Sequence, residues 1–200
     1  MQLNLGNNKI IPVVVLNTVE DTVPTLSALK DGGITVAEIT FRTACAAEAI
    51  QLACGTFPDM LIGAGTVING AQCKAAIGAG ARFIVSPGFS EEVCRVCEAE
   101  GVPYLPGAVT ATEVMNLIAH GITTIKFFPA ETSGGPAAMK ALAAAFPGID
   151  FMPTGGIGPK NMKEYLYAPF VRAIGGSWML KGTPAEITAM ARAAVEEAER

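Results

Sequence analysis

One rhythm of apolar and polar positions repeats along the chain: a short β-branched run, a turn, an Ala-rich stretch with helical spacing, then a glycine. The apolar runs predict strands over Ile11–Leu16, Val36–Phe41, Leu61–Ala64, Arg82–Val85, Pro103–Leu105, Thr123–Phe127, Asp150–Met152 and Val171–Ile174. Between them, helical periodicity predicts helices near Val23–Lys30, Cys45–Cys54, Ala71–Gly78, Glu91–Ala99, Ala111–Ala119, Ala137–Ala145, Pro159–Tyr167 and Pro184–Glu199. Strands that alternate with helices are parallel strands joined by helical crossovers. Eight such units in 200 residues, without a long insertion, predict an α/β fold closed as a single (β/α)8 TIM barrel over residues 1–200. A doubly wound open sheet is the alternative. The glycines in Asp31-Gly32-Gly33, Gly78-Ala79-Gly80 and His120-Gly121 read as helix C-caps.

Composition narrows the possibilities. Half of the residues are hydrophobic and 16% are charged, which excludes a disordered chain and supplies a sizeable core. A net charge of −4 leaves no basic footprint for nucleic acid, so an anionic substrate would need local donors. Five cysteines, an odd and unpatterned set, fit reduced thiols in the cytoplasm better than a secreted disulfide framework. The polar stretch Met1–Lys9 lacks the apolar centre of a signal peptide, and no apolar run is long enough to span a membrane. The expected partner is therefore a small molecule, with no nucleic acid and no membrane. No His, Cys and carboxylate cluster stands at metal spacing, so neither metal nor other cofactor is expected. His120 reads as a helix-end residue, and Cys94 and Cys97 as core thiols.

In a barrel of this kind, chemistry sits at the C-terminal ends of the strands. Alternation along the second strand puts Glu38, Thr40 and Arg42 on one face with Val36. An inward Glu followed by an inward Arg is costly unless paired or functional; a structural ion pair is the competing reading. The third strand runs into Gly63-Ala64-Gly65-Thr66, where glycines admit a ligand close to the backbone and Thr66 adds a hydroxyl. A tight turn with a capping threonine is the simpler reading of those residues alone. After the fourth strand, Pro87 fixes the loop and offers an apolar wall, and Ser90 reads as a helix N-cap.

The sixth strand is the sharpest feature. Lys126 stands among Ile125, Phe127 and Phe128 on a strand expected to be buried on both faces. Burial disfavours an ammonium, a nearby cation such as Arg42 would disfavour it further, and a neutral amine is what attack on a ketone needs. A lysine snorkelling to the rim is the alternative. Gly155-Gly156 after the seventh strand and Gly175-Gly176-Ser177 after the eighth stand where barrels bind phosphate through backbone N–H groups. An acid/base, a guanidinium, a buried amine and an anion cradle together suit an imine-forming enzyme for a phosphorylated oxo-acid.

These residues fall in six ordered motifs: Glu38-Ile39-Thr40-Phe41-Arg42, Gly63-Ala64-Gly65-Thr66-Val67, Val85-Ser86-Pro87-Gly88, Lys126-Phe127-Phe128-Pro129-Ala130-Glu131, Pro153-Thr154-Gly155-Gly156-Ile157 and Gly175-Gly176-Ser177-Trp178. Through them the chain resembles the KDPG/KHG class I aldolase family, over about Ile10 to Ala198. The resemblance implies that Lys126 is the Schiff-base lysine and Glu38 the general acid/base, moving protons through a bound water. It implies that Arg42 and Thr66 hold the pyruvate carboxylate. Pro87, Phe128 and Thr154 would form the pocket wall and meet substrate hydroxyls. Gly155, Gly156, Gly176 and Ser177 would cradle the phosphate. A homotrimer is also implied. Relatives often carry Arg or Lys just after the first strand; here Val15-Leu16-Asn17-Thr18 has no cation, leaving the phosphate to backbone donors and Ser177.

The reaction so implied is cleavage of 2-dehydro-3-deoxy-6-phosphogluconate to pyruvate and glyceraldehyde 3-phosphate, with 4-hydroxy-2-oxoglutarate, cleaved to pyruvate and glyoxylate, as a second substrate. Two other readings keep part of the same set. One is an aldolase for 2-dehydro-3-deoxy-6-phosphogalactonate. The other is a barrel that binds a sugar phosphate without chemistry.

Overall fold

Strand and helix alternate in the computed structural model, which describes residues 3–199, through eight repeats. The strands are β1 (Ile10–Val14), β2 (Val36–Thr40), β3 (Leu61–Gly65), β4 (Ile84–Val85), β5 (Tyr104–Leu105), β6 (Thr124–Phe127), β7 (Asp150–Pro153) and β8 (Ile174–Gly176). The helices are α1 (Thr22–Asp31), α2 (Ala46–Thr56), α3 (Gly70–Gly78), α4 (Glu91–Glu100), α5 (Ala111–Ala119), α6 (Gly135–Ala145), α7 (Met162–Leu166) and α8 (Pro184–Glu199).

All pairings are parallel. Six strands run in the order β5-β4-β3-β2-β1-β8, and β6 pairs with β7. Bridges Gly107↔Lys126 and Thr154↔Gly175 join the two sheets at both seams, so the ring closes as a (β/α)8 barrel rather than an open sheet. Strands β1 and β2 are buried at every position, as parallel strands covered by helices must be. Outside the ring, Phe127 meets Phe151 edge-on at 5.7 Å, and Phe151 meets Phe170 at 6.3 Å.

Local signals hold at the helix ends. Ser90 caps α4 by accepting from the Val93 N–H, and Thr110 with Glu113 forms a capping box on α5. Gly33, Gly80 and Gly121 take φ of 92°, 101° and 71° just past α1, α3 and α5. Most element limits lie within two residues of prediction, and two elements start three residues late. The eighth strand is Ile174–Gly176 rather than Val171–Ile174. Pairing with β1, Ile10↔Ile174 through Pro12↔Gly176, draws the strand into the glycines, while Val171 makes only an isolated bridge to Phe151. The seventh helix begins at Met162, not Pro159, because the Asn161 side chain accepts from the Gly158 N–H and donates to the Gly156 carbonyl, holding those residues in a loop. His120 ends α5 with its ring on Phe89, and the five cysteines are free thiols. Among the described residues no helix is long and apolar enough to cross a membrane.

Candidate active site

In a ring of eight strands, β2 and β6 face each other across the lumen. Alternation turns Glu38 inward on β2 and Lys126 inward on β6, with Ile125 and Phe127 on the outer face. The two inward side chains meet: Lys126 Nζ donates to Glu38 Oε1 at 3.1 Å and Oε2 at 3.5 Å. Lys126 is 4% exposed and Glu38 1%, and they are the only charged residues in the buried set described. Lys126 therefore does not snorkel to the rim. Desolvation offsets most of the attraction within a buried ion pair, so packing alone gives no reason for two charges across the lumen. The Phe128 ring centroid lies 5.5 Å from Nζ and screens the amine from one side.

The glycines of β3 serve the chain itself rather than a ligand directly. A Cβ on Gly63 would strike the Phe83 ring, and one on Gly65 would stand 2.0 Å from Glu38 Oε1. Only glycine at position 65 lets the carboxylate lie over β3 and reach Lys126. Past β3, Thr66 takes a φ of 56°, the one positive value for a non-glycine among the described residues. For a β-branched residue that backbone is strained. It presents Oγ1 to Arg42, whose Nε donates to it at 3.1 Å.

Arg42 does not lie inward as strand alternation predicted. β2 ends at Thr40, whose hydroxyl donates to the Val14 carbonyl, and Arg42 sits in the following turn, exposed. Its partner is Thr66 and the partner of Lys126 is Glu38, so the cation near the amine is replaced by an anion. Pro87 is exposed at the barrel mouth, its carbonyl packed so closely on Gly107 that a Cβ there would stand 2.0 Å away. Thr154, just past β7, is 6% exposed, and its Oγ1 has no hydrogen-bond partner. A buried hydroxyl without a partner is a group awaiting one. The amides of Gly155, Gly156 and Ser177 have no backbone acceptor among the described residues, which leaves them free for an anion. Gly176, predicted in a turn, ends β8 with the Trp178 ring over its Cα, and Ser177 opens the loop, exposed.

Three concavities, of about 320, 450 and 350 Å³, lie at the other, N-terminal end of the strands. Their linings bring together no buried amine and acid. Among the described residues no group of three or more His, Cys, Asp or Glu is placed to hold a metal.

Residues 1–194 match the family model described as KDPG and KHG aldolase. The chain belongs to this family. It is 49% identical over 172 residues to the 2-dehydro-3-deoxy-phosphogluconate aldolase of Treponema pallidum, an alignment covering 86% of this chain and 82% of that protein. A KDPG aldolase from Legionella pneumophila, solved with pyruvate captured at low pH as a covalent carbinolamine, superposes with a TM-score of 0.91 at 40% identity, over 94% of this chain and 95% of that one. The KDPG aldolase of Zymomonas mobilis ZM4, solved with 3-phosphoglycerate, gives a TM-score of 0.90 at 38% identity, covering 97% and 92%.

Neither spacing nor residue type singles out Tyr104 as a support of the barrel mouth. Its hydroxyl accepts from the Ser90 N–H at 3.2 Å and props the loop that carries Pro87. Burial, above all, pushes the phenol up to about 12, so it keeps its proton. On a two-residue strand a tyrosine reads as core, and only the packing reveals what it supports.

The Thr66 geometry carries a prediction. Thr66→Gly relieves left-handed strain of about 1–2 kcal/mol, offset by about 0.4–1 kcal/mol of added freedom in the unfolded chain. The melting temperature is expected to hold or rise. KM for pyruvate in enamine formation is expected to rise about tenfold as Arg42 loses its anchor. A lower melting temperature with unchanged KM would show that Thr66 serves the fold and not the site.

Proposed function

We propose that this chain is a class I aldolase for phosphorylated 2-oxo acids. It cleaves 2-dehydro-3-deoxy-6-phosphogluconate to pyruvate and glyceraldehyde 3-phosphate and also accepts 4-hydroxy-2-oxoglutarate. The observation that carries the reading is the buried Lys126–Glu38 pair. Proton transfer from Lys126 to Glu38 yields a neutral amine without moving net charge into the barrel. The amine attacks the C2 ketone to form the C–N bond, and the carbonyl oxygen takes up the proton. Water then leaves, and the cationic imine accepts the electron pair of the C3–C4 bond as it breaks. Glu38 removes the C4 hydroxyl proton, the aldehyde departs, and the enamine is protonated at C3 and hydrolysed to pyruvate. General-base help of this kind is worth roughly 10²–10⁴-fold.

Arg42 and Thr66 receive the carboxylate, with Pro87 and Phe128 as walls. Thr154 Oγ1, unpartnered within the chain, meets a substrate hydroxyl. The amides of Gly155, Gly156 and Ser177 hold the phosphate, with Gly176 beside them at the end of β8, its own amide taken by the ladder to β1. The chain acts as one domain over residues 1–200. The resemblance supports a homotrimer, and the unpaired cysteines support a cytoplasmic location.

Borohydride reduction in the presence of pyruvate, read by intact and peptide mass spectrometry, is expected to leave one pyruvyl adduct, on Lys126. Folded protein that gains no adduct, or gains it elsewhere, rules out the assignment.

A further inference from the structure

The Gly155–Gly156 turn has a support behind it that touches none of the proposed reacting atoms. The chain leaving β6 lies against the chain leaving β7. The Ala130 N–H donates to the Thr154 carbonyl at 2.8 Å, and the Glu131 N–H to the Gly155 carbonyl at 3.1 Å. In a trans peptide the C=O and the next N–H point in opposite directions. With the carbonyls of Thr154 and Gly155 turned toward residues 130 and 131, the N–H groups of Gly155 and Gly156 must turn away from them, toward the side on which the Thr154↔Gly175 bridge places the end of β8.

The Glu131 side chain holds this arrangement. Its stem fills the space a side chain on Gly156 would occupy: a Cβ there would stand 2.4 Å from Glu131 Cγ and 2.7 Å from its Cβ. Its carboxylate is turned back, away from the turn, where Oε1 accepts a hydrogen bond from Tyr165 Oη on α7. Tyr165 is fully buried, and burial together with the Glu131 carboxylate pushes its phenol well above the usual range, so it remains a donor at any working pH. The arrangement also governs charge. A carboxylate free to swing beside the glycine amides would repel an anion there, and the tyrosine hydroxyl pins it on the far side.

We propose that Glu131 and Tyr165 are positioning residues for the phosphate. They fix the glycine turn so that its amides converge on the anion, and they keep a carboxylate out of the site. This rests on the reading of Gly155 and Gly156 as the phosphate cradle. It predicts an effect confined to substrates that carry a phosphate.

The test compares Tyr165→Phe, Glu131→Ala and Glu131→Gln on phosphorylated 2-dehydro-3-deoxygluconate and on 4-hydroxy-2-oxoglutarate. For Tyr165→Phe and Glu131→Ala, KM for the phosphorylated substrate and the inhibition constant of inorganic phosphate are each expected to rise about tenfold, the loss of one hydrogen bond to a charged group. Both kcat and KM for the unphosphorylated substrate are expected to stay within about twofold on the same reasoning. Glu131→Gln keeps an acceptor for Tyr165 and is expected to restore the wild-type KM. Equal losses on both substrates, or an unchanged KM for the phosphorylated one, overturn the proposal. Glu131 is exposed, so its variants keep the test decisive if Tyr165→Phe does not fold. Wild-type protein that neither prefers the phosphorylated substrate nor responds to inorganic phosphate removes the cradle itself, and the positioning role with it, while leaving the Lys126 adduct intact.

Discussion

Lys126→Met is expected to lower kcat/KM for 2-oxo-acid cleavage by at least about 10⁴-fold, because no other group can form the imine on which every later step depends. The same change leaves Glu38 buried without its counter-ion. Breaking a buried pair by removing one partner costs about 3–5 kcal/mol, so the variant should also melt at a lower temperature. The second effect separates the two roles of the pair. In Lys126→Met/Glu38→Leu both charges are gone and the lumen holds apolar groups of similar size. Stability is expected to return to the wild-type value or exceed it, since replacing a buried ion pair by packed apolar residues is often neutral or stabilising. Activity should stay lost. Denaturant melts and steady-state rates on the three proteins decide it. A single variant that cleaves at more than about one hundredth of the wild-type rate would remove Lys126 from the chemistry.

Gly65→Ala carries the second large effect, and it acts without touching either charged residue. The new Cβ would stand 2.0 Å from Glu38 Oε1, 2.5 Å from its Cγ and 2.6 Å from its Cδ. No rotation of a methyl group relieves three such contacts, so the carboxylate must leave its place over β3 and with it the 3.1 Å contact to Lys126. The loss of a placed general base predicts a fall in kcat of about 10²–10⁴-fold, and overpacking predicts a stability loss of about 1–3 kcal/mol. Because Lys126 keeps its place, borohydride trapping with pyruvate should persist at a reduced rate. Gly65→Ala with wild-type kcat would mean that Glu38 works from a different position than the one over Gly65.

Much of the barrel is legible in the chain because its signals are local. β-Branched runs alternate with Ala-rich helical spacing, and Ser90, Thr110, Gly33, Gly80 and Gly121 mark ends that depend on their own neighbours' hydrogen bonds. The misplaced elements are those whose limits are set from outside. The eighth strand lies where β1 pairs with it, over two glycines with little β propensity of their own. The seventh helix starts late because the Asn161 side chain claims the preceding loop.

The site divides along the same line. Residue type and position on a strand are enough to mark Lys126 and Glu38 as candidates, since an inward charge on a parallel strand has few structural uses, whereas the roles of Thr66 and Thr154 come only through the resemblance. Alternation failed at Arg42, where the strand had already ended and the side chain was free to turn toward Thr66. Tyr104 and Tyr165 carry no signal of their own, and Glu131 stands in a motif without a role read from it. Each supports a loop from a different repeat of the barrel, and such contacts exist only after the ring has closed.

The sequence by itself determined the repeat of eight strand–helix units and the candidate chemistry, because periodicity, caps and a lysine among apolar neighbours are properties of short segments. The tertiary structure alone decided that the strands close into a ring, that Lys126 meets Glu38 across the lumen, that Gly65 makes room for that meeting, and that the Gly155–Gly156 amides turn toward the end of β8. Each of these couples residues far apart in the chain, 88 positions for the ion pair, and a hydrogen bond of a few ångströms is set by how the strands pack, not by spacing along any one of them.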